Sequence, residues 1–219
     1  MTSPSRPRIA WWPWALVASA VTFVLGGLLH PDEPPGVPEA EGLAAWIGSP
    51  LWVPSHTLIL TGSILLVPGL IGLLAGRPDL TAGARRAGRV ALVGAVLWVV
   101  ESVPHLGAAA ESAAAAAGDP TPILFSHMVL SLLAYPLVGL AVAALAVLGG
   151  RTLTHPVFAA LAVVGGVAWS LAPWLVGPLA VEGADVLFPL GILMATWFAA
   201  VGVSEAIRRR SAAPEPTPA

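Results

Sequence analysis

Six long apolar segments decide what this chain can fold into. A helix that crosses a membrane needs about 20 predominantly apolar residues. Segments near this length or longer cover residues 11–29, 51–75, 89–106, 122–148, 156–175 and 187–207. A membrane β-barrel would instead alternate apolar and polar residues over strands of about ten residues, and no segment shows that alternation. We therefore predict an all-α integral membrane protein, a bundle of six transmembrane helices.

The first apolar segment follows two arginines, as the apolar part of a secretory signal peptide would. It is longer than the apolar region of such signals, which has about 7–15 residues, and no A-x-A-like cleavage site ends it. We expect this segment to be retained as the first transmembrane helix.

Arginine supplies every basic residue of the chain, and its distribution predicts the orientation of the helices. If successive helices alternate in direction, all the arginines lie on one side, namely Arg6, Arg8, Arg77, Arg85, Arg86, Arg89, Arg151, Arg208, Arg209 and Arg210. The charged residues of the three opposite loops are all acids: Asp32, Glu33, Glu39, Glu41, Glu111, Asp119, Glu182 and Asp185. By the positive-inside rule, both termini are predicted to be cytoplasmic.

Composition also narrows the location and the partners. The lack of lysine together with abundant alanine, glycine and proline indicates a bacterial genome, and hence the bacterial cytoplasmic membrane. A short arginine cluster at a helix end is better explained by topology than by phosphate binding, so nucleic acid is not an expected partner. The expected partners are the lipid bilayer and, beyond it, a redox partner or further copies of this chain.

The predicted helices divide the chain into four parts. Residues 1–9 form a cytoplasmic tail, 10–150 a four-helix bundle that carries the histidines, 151–210 a third transmembrane hairpin, and 211–219 a disordered tail rich in proline and alanine. Segment 31–50 contains five prolines and four acids, which predicts an irregular or partly extended cap. Residues 43–47 of this cap are expected to lie flat at the interface.

The first four helices resemble one hairpin written twice. In each copy an outgoing helix ends near a histidine, and a second histidine opens the returning helix, which begins with a hydroxyl residue followed by proline. Pro68 and Pro136 then interrupt the two returning helices at similar depths. We interpret this as a parallel repeat about an axis along the membrane normal.

The four histidines at these helix ends, His30, His56, His105 and His127, are predicted to form one layer near the outer face. Because the chain has no cysteine, imidazoles and carboxylates are its available metal ligands. Three interpretations remain open for the layer. It binds haem b between two axial imidazoles, it binds a mononuclear or dinuclear site of zinc, copper or iron, or each histidine simply caps a helix or lies among headgroups. His155, on the arginine side, is not part of the layer.

Glu101 is the one carboxylate well inside a predicted helix. An ionisable group in the membrane costs at least ~2.5–3.5 kcal/mol unless it meets a partner or a polar cavity. Glu101 precedes His105 by four residues, which places both on one helix face. We expect it to accept a hydrogen bond from that imidazole, to bind the metal, or to relay a proton. A protonated acid bonded to Ser102 is the alternative. Glu205, close to Arg208 and Arg209, is expected to form a helix-end ion pair.

Glycine and tryptophan predict how the helices pack and where they meet the interface. Gly26–Gly27, Gly165–Gly166 and the pair Gly72 and Gly76 are expected at close helix contacts. The tryptophans near helix ends are expected to be interfacial anchors, namely Trp11, Trp12, Trp14, Trp46, Trp52 and Trp174.

Paired hairpins with outer-face histidines and a nearby helix carboxylate are similar in outline to membrane haem proteins such as the haem A synthases. The resemblance is one of arrangement over helices one to four, and it implies a haem site among the histidines. The sequence therefore predicts a membrane protein that binds haem b or a transition metal for electron transfer, redox chemistry or sensing. The alternatives are a small-solute transporter or permease subunit and a non-catalytic membrane scaffold.

Overall fold

A computed structural model describes residues 11–34 and 36–211 of the chain. Within these residues the fold is all helical, without a strand, and contains α1 (Trp12–Leu29), α2 (Glu39–Ile47), α3 (Trp52–Gly76), α4 (Ala82–Gly107), α5 (Ser112–Ala117), α6 (Pro122–Gly149), α7 (Pro156–Val176) and α8 (Gly191–Ser211). The predicted tail 1–9, with Arg6 and Arg8, and residues 212–219 lie outside the described residues.

Six of these helices, α1, α3, α4, α6, α7 and α8, are long and apolar enough to cross a membrane. The predicted six-helix architecture is confirmed in this respect. The cytoplasmic location of the termini and the hairpin repeat stay predictions. Helix α4 begins earlier than predicted, because Thr81 accepts a hydrogen bond from the Ala84 amide and caps a first turn that carries arginines. Helices α3 and α6 continue through Pro68 and Pro136 without a break.

The six spanning helices form a closed ring in the order of the chain. Each packs against the spanning helix before and after it, and α8 closes the ring against α1. The connections from α3 to α4 and from α6 to α7 are short, which favours packing of these neighbours as antiparallel pairs. Leu16, Leu66, Trp98, Val138 and Trp197 are buried in the shared core, so the ring encloses side chains.

One close helix crossing joins α6 and α7 at two glycines. A Cβ atom added to Gly166 would lie 2.5 Å from the carbonyl oxygen of Gly139, and a Cβ atom on Gly139 would in turn meet the backbone of Gly166. A Cβ atom added to Gly26 would lie 2.8 Å from Ile59 and 2.9 Å from the Ser55 carbonyl oxygen on α3, whereas one added to Gly27 would have no atom within 4 Å. A Cβ atom on Gly72 would overlap Trp12 on α1, one on Gly76 would lie 2.9 Å from Trp12, and one on Gly165 would lie 2.6 Å from the Met194 nitrogen on α8. The predicted close approaches therefore hold for Gly165–Gly166, for Gly72 and Gly76, and for one residue of the pair Gly26–Gly27.

Two short helices, α2 and α5, pack against each other and cover one end of the ring. Their apolar residues form a second small core with the ends of α3 and α6, comprising Ile47, Trp52, Ala108, Ala115 and Leu124. The expectation of an irregular cap over residues 31–50 is therefore wrong for 39–47, which are helical. We call the covered end the histidine end and the opposite one the arginine end.

Ion pairs tie α8 to the segment that follows α3 at the arginine end. Glu205 on α8 lies 3.5 Å from Arg77 after α3, and 3.3 and 3.0 Å from the guanidinium nitrogens of Arg208 and Arg209. This confirms the helix-end ion pair predicted for Glu205. Arg77 also contacts Asp79 at 2.6 Å, and this hydrogen bond lowers the pKa of the Asp79 carboxyl to about 2.

Candidate metal centre

The structure brings all four predicted histidines together at the histidine end. His30 follows the last residue of α1, His56 lies in the second turn of α3, His105 near the end of α4, and His127 near the start of α6. The ring centroids of successive imidazoles are 4.9 Å apart for His30 and His56, 4.1 Å for His56 and His105, and 3.6 Å for His105 and His127. The four rings therefore form a continuous row. His155 caps α7 at the arginine end and takes no part.

Backbone carbonyls orient the first two imidazoles. His30 Nδ1 lies 3.0 Å from the Pro31 carbonyl oxygen, and His56 Nδ1 lies 2.7 Å from that of Trp52. Because a carbonyl oxygen only accepts, these contacts assign the ring hydrogen to Nδ1 and the lone pair to Nε2 in both rings. The Ser55 hydroxyl also lies 3.0 Å from His56 Nδ1. Histidines that bind metals are held in this way, with the non-ligating N–H donated to a carbonyl or carboxylate.

Burial keeps His30 in the form that ligates metals. The pKa of His30 is lowered from its usual value of 6.5, chiefly because burial disfavours the imidazolium, although the bond to Pro31 opposes the shift. The ring is therefore neutral at pH 7 and its Nε2 lone pair is available.

A neutral His105 ring carries one hydrogen, but both of its nitrogens face groups that would accept a hydrogen bond. Its Nε2 lies 2.9 Å from the Nε2 lone pair of His56, and its Nδ1 lies 3.5 Å from Oε1 of Glu101. If the hydrogen is on Nε2, the buried Nδ1 turns a lone pair toward a carboxylate. If it is on Nδ1, two lone pairs face each other at 2.9 Å. Among the described residues Nδ1 has no hydrogen-bond partner. Either a second proton on His105 or a metal ion bound at one of its nitrogens removes this conflict.

Glu101 is fully buried, and its nearest partners come from another helix. Its Oε1 accepts hydrogen bonds from His127 Nδ1 and, at 3.1 Å, from the Tyr135 hydroxyl, both on α6. The Ser102 hydroxyl lies 3.4 Å from Oε2. His105, the partner expected from helix spacing, is at 3.5 Å, longer than an ordinary hydrogen bond. The carboxylate therefore connects α4 to α6 rather than to its own helix.

Trp52 encloses the site, a role that the sequence did not reveal. Its ring stacks on His56 at a centroid distance of 4.1 Å, and its Nε1 donates a hydrogen bond of 3.1 Å to the His105 carbonyl. Trp52 and Trp12 are both buried, so the expectation that they are interfacial anchors is wrong, whereas Trp11, Trp14 and Trp174 are exposed. The spacing of four residues between Trp52 and His56 was an available signal.

Five side chains form two groups of donors that could each hold an ion. The first group is His30, His56 and His105, and the second is Glu101, His105 and His127. Within each group, one donor atom per residue lies within 4.8 Å of the others. His105 is common to both groups. Three imidazoles, or two with a carboxylate, are the sets that hold zinc, copper and iron in sites with an open coordination position.

The spacing of the rings favours a directly bound ion over a haem. A porphyrin needs a gap between its two axial imidazoles, but here neighbouring rings lie in contact, at centroid distances of 3.6–4.9 Å. With metal–nitrogen bonds of about 2.0–2.1 Å, the 2.9 Å between His56 Nε2 and His105 Nε2 corresponds to an angle of about 90° at the ion. That angle suits copper or six-coordinate iron, while tetrahedral zinc would require a small separation of the rings.

The start of α6, which carries His127, is capped by Glu111 rather than by a hydroxyl residue. Both carboxylate oxygens of Glu111 accept backbone N–H groups, from Ile123 and Leu124, at 2.9 Å each. Thr121, predicted as the N-cap, makes no side-chain capping bond, and α3 begins without one as well. A carboxylate that approaches from the preceding loop satisfies two free amides at once, so it replaces the local cap.

Glu111→Ala is expected to destabilise the protein by about 1–2 kcal/mol, because two amides of α6 lose their acceptor in a largely buried position. Thermal unfolding of the detergent-solubilised protein measures this change. Asp119→Ala removes an exposed acid from the same loop and is expected to leave the unfolding temperature unchanged. Equal unfolding temperatures for the two variants would contradict the capping role.

Comparisons with protein-family models, with curated proteins and with solved structures gave no match for this chain.

Proposed function

We propose that this chain is a membrane protein that binds a transition-metal ion at its histidine end, through His30, His56 and His105, for redox chemistry or electron transfer. One observation carries the proposal. Two imidazoles give their N–H groups to backbone carbonyls, and the lone pair that this leaves on His56 faces the Nε2 of His105. Neutral imidazoles alone do not satisfy every buried polar atom here. Whichever nitrogen of His105 carries the hydrogen, the other turns its lone pair either toward the lone pair of His56 or toward the Glu101 carboxylate.

The surroundings of the ligands favour copper or iron over zinc. The angle of about 90° that His56 Nε2 and His105 Nε2 would make at the ion supports this choice. The neighbouring Glu101 carboxylate supports it as well. Glu101 accepts hydrogen bonds from His127 and from the Tyr135 hydroxyl. The carboxylate can take up a proton from solvent when reduction lowers the charge of the ion, so that no buried charge is left unpaired. Glu101 thus acts as a proton acceptor in this proposal.

The arginine distribution supports placing the site on the outer side of a bacterial cytoplasmic membrane. Every described arginine belongs to the end opposite the row of four histidines, and the positive-inside rule assigns that end to the cytoplasm. His30 and His127 are only partly buried, so a redox partner would approach the ion from the outer face.

Metal analysis and an absorption spectrum of the detergent-purified protein test the proposal. The protein is stripped with a chelator, offered copper, iron, zinc or haem b separately, and desalted. We expect copper or iron to be retained at one equivalent or more per chain. Protein that retains no metal under any condition would overturn the proposal. If the protein shows a haem absorption band and retains no free metal ion, the site binds a haem and not a directly bound ion.

A further inference from the structure

We infer that the histidine end holds two metal ions and that the His105 imidazole bridges them, with one ion on each ring nitrogen. The inference rests on the proposed function and specifies how its ligands are shared. The first ion takes His30, His56 and Nε2 of His105. The second takes Nδ1 of His105 together with Glu101 and His127.

The two donor groups meet only at His105, and they lie on opposite edges of its ring. Nε2 faces His56 at 2.9 Å, while Nδ1 faces the Glu101 carboxylate at 3.5 Å. A single ion cannot bind both nitrogens, because their lone pairs point away from each other. Two ions with metal–nitrogen bonds of about 2 Å would be about 6 Å apart across the ring.

The unsatisfied Nδ1 of His105 is the observation that points to the second ion. An ion bound only to the first group uses Nε2 and moves the ring hydrogen to Nδ1, where the distance to Glu101 is too long for a good hydrogen bond. Nδ1 is buried and has no hydrogen-bond partner among the described residues. An ion between Nδ1, Glu101 and His127 satisfies this nitrogen and uses the carboxylate charge that is already buried there.

The two sites differ in their donors. Three neutral imidazoles suit copper or zinc, whereas two imidazoles with a carboxylate form the set typical of non-haem iron and of zinc. When both nitrogens of His105 bind, the ring becomes an imidazolate and its one hydrogen leaves as a proton to the buffer. The carboxylate and the imidazolate together offset part of the charge of two divalent ions.

Copper titration of the chelator-stripped, full-length protein in detergent tests the bridge. The probe is Cu²⁺ alone. Copper per chain is measured after desalting, and the unpaired spins per copper are counted by electron paramagnetic resonance. We expect two copper ions per chain and far fewer than two spins, because an imidazolate couples the two ions antiferromagnetically. No bound copper would overturn the proposed function and this inference together.

The other outcomes separate the two proposals. One copper per chain with a full spin would overturn the dinuclear site and leave the proposed function standing. Two coppers with two full spins would overturn the bridge. These measurements need only the natural protein, so they decide the matter even if a variant fails to fold.

Two variants sharpen the result. His127→Leu removes a donor from the second group and keeps the whole first group, so we expect one copper per chain and a full spin. His155→Leu removes an exposed histidine at the arginine end and is expected to match the natural protein. Two coupled coppers in His127→Leu would contradict the assignment of His127.

Discussion

Replacing His56 by alanine is expected to lower the copper affinity of the first group by at least about 100-fold. Loss of a residue that merely orients a ligand typically costs 10–100-fold in metal affinity, and here the ligand itself is lost. His56 is also the ligand whose orientation is most tightly determined. It is held by the Trp52 carbonyl at 2.7 Å and by stacking on the Trp52 ring.

The affinity is measured by competition with a chelator of known strength, and His155→Ala is the matched control. His155 is exposed and lies at the other end of α7 from the site, so its variant should bind copper as the natural protein does. Gel filtration and circular dichroism report whether His56→Ala keeps its fold. A folded His56→Ala variant with undiminished affinity would show that the ion binds elsewhere.

The sequence predicts that the four histidines lie close together, because in a membrane only the depth of each residue along its helix has to be estimated. Helices of similar length that cross the same layer must end at similar depths. A histidine at the C-terminal end of α1 and one at the start of α3 therefore reach the same level, and the same holds for His105 and His127. The alternating direction of the helices and the positions of the histidines along the chain were sufficient for this prediction.

The partner of Glu101 was not predictable in the same way. Helix spacing places His105 on the same face of α4, but the closest contact depends on which helix packs there and how it is rotated. The structure puts α6 beside α4, so that His127 and Tyr135 reach the carboxylate first. A single sequence contains no information on that rotation.

Trp52 is not the predicted interfacial anchor, because the two short helices that cover the histidine end bury it. A tryptophan at the end of an apolar segment usually lies at the interface, but α2 and α5 cover this one. The five consecutive alanines at 113–117 have the strongest helix propensity of any residue and were a usable signal for α5. That these short helices pair was not visible, because the contact is between distant segments.

Gly166→Ala is expected to destabilise the protein by about 2–3 kcal/mol, which lowers its Tm by roughly 4–12 °C. The new methyl group would lie 2.5 Å from the Gly139 carbonyl oxygen. This is backbone in the middle of α6, so it cannot rotate away as a flexible side chain would. The two helices must separate, and the contact between Tyr135 and Trp169, stacked at 4.6 Å, must loosen with them.

Thermal unfolding in detergent, with tryptophan emission as a second reading, measures the effect. Gly27→Ala is the matched control, because it makes the same change in a spanning helix where no atom lies within 4 Å of the new methyl group. Its Tm should stay equal or rise slightly, since alanine is the better helix former. If Gly166→Ala were as stable as Gly27→Ala, the helices at this crossing would be farther apart than a glycine contact requires, and the position of Tyr135 beside Glu101 would need another explanation.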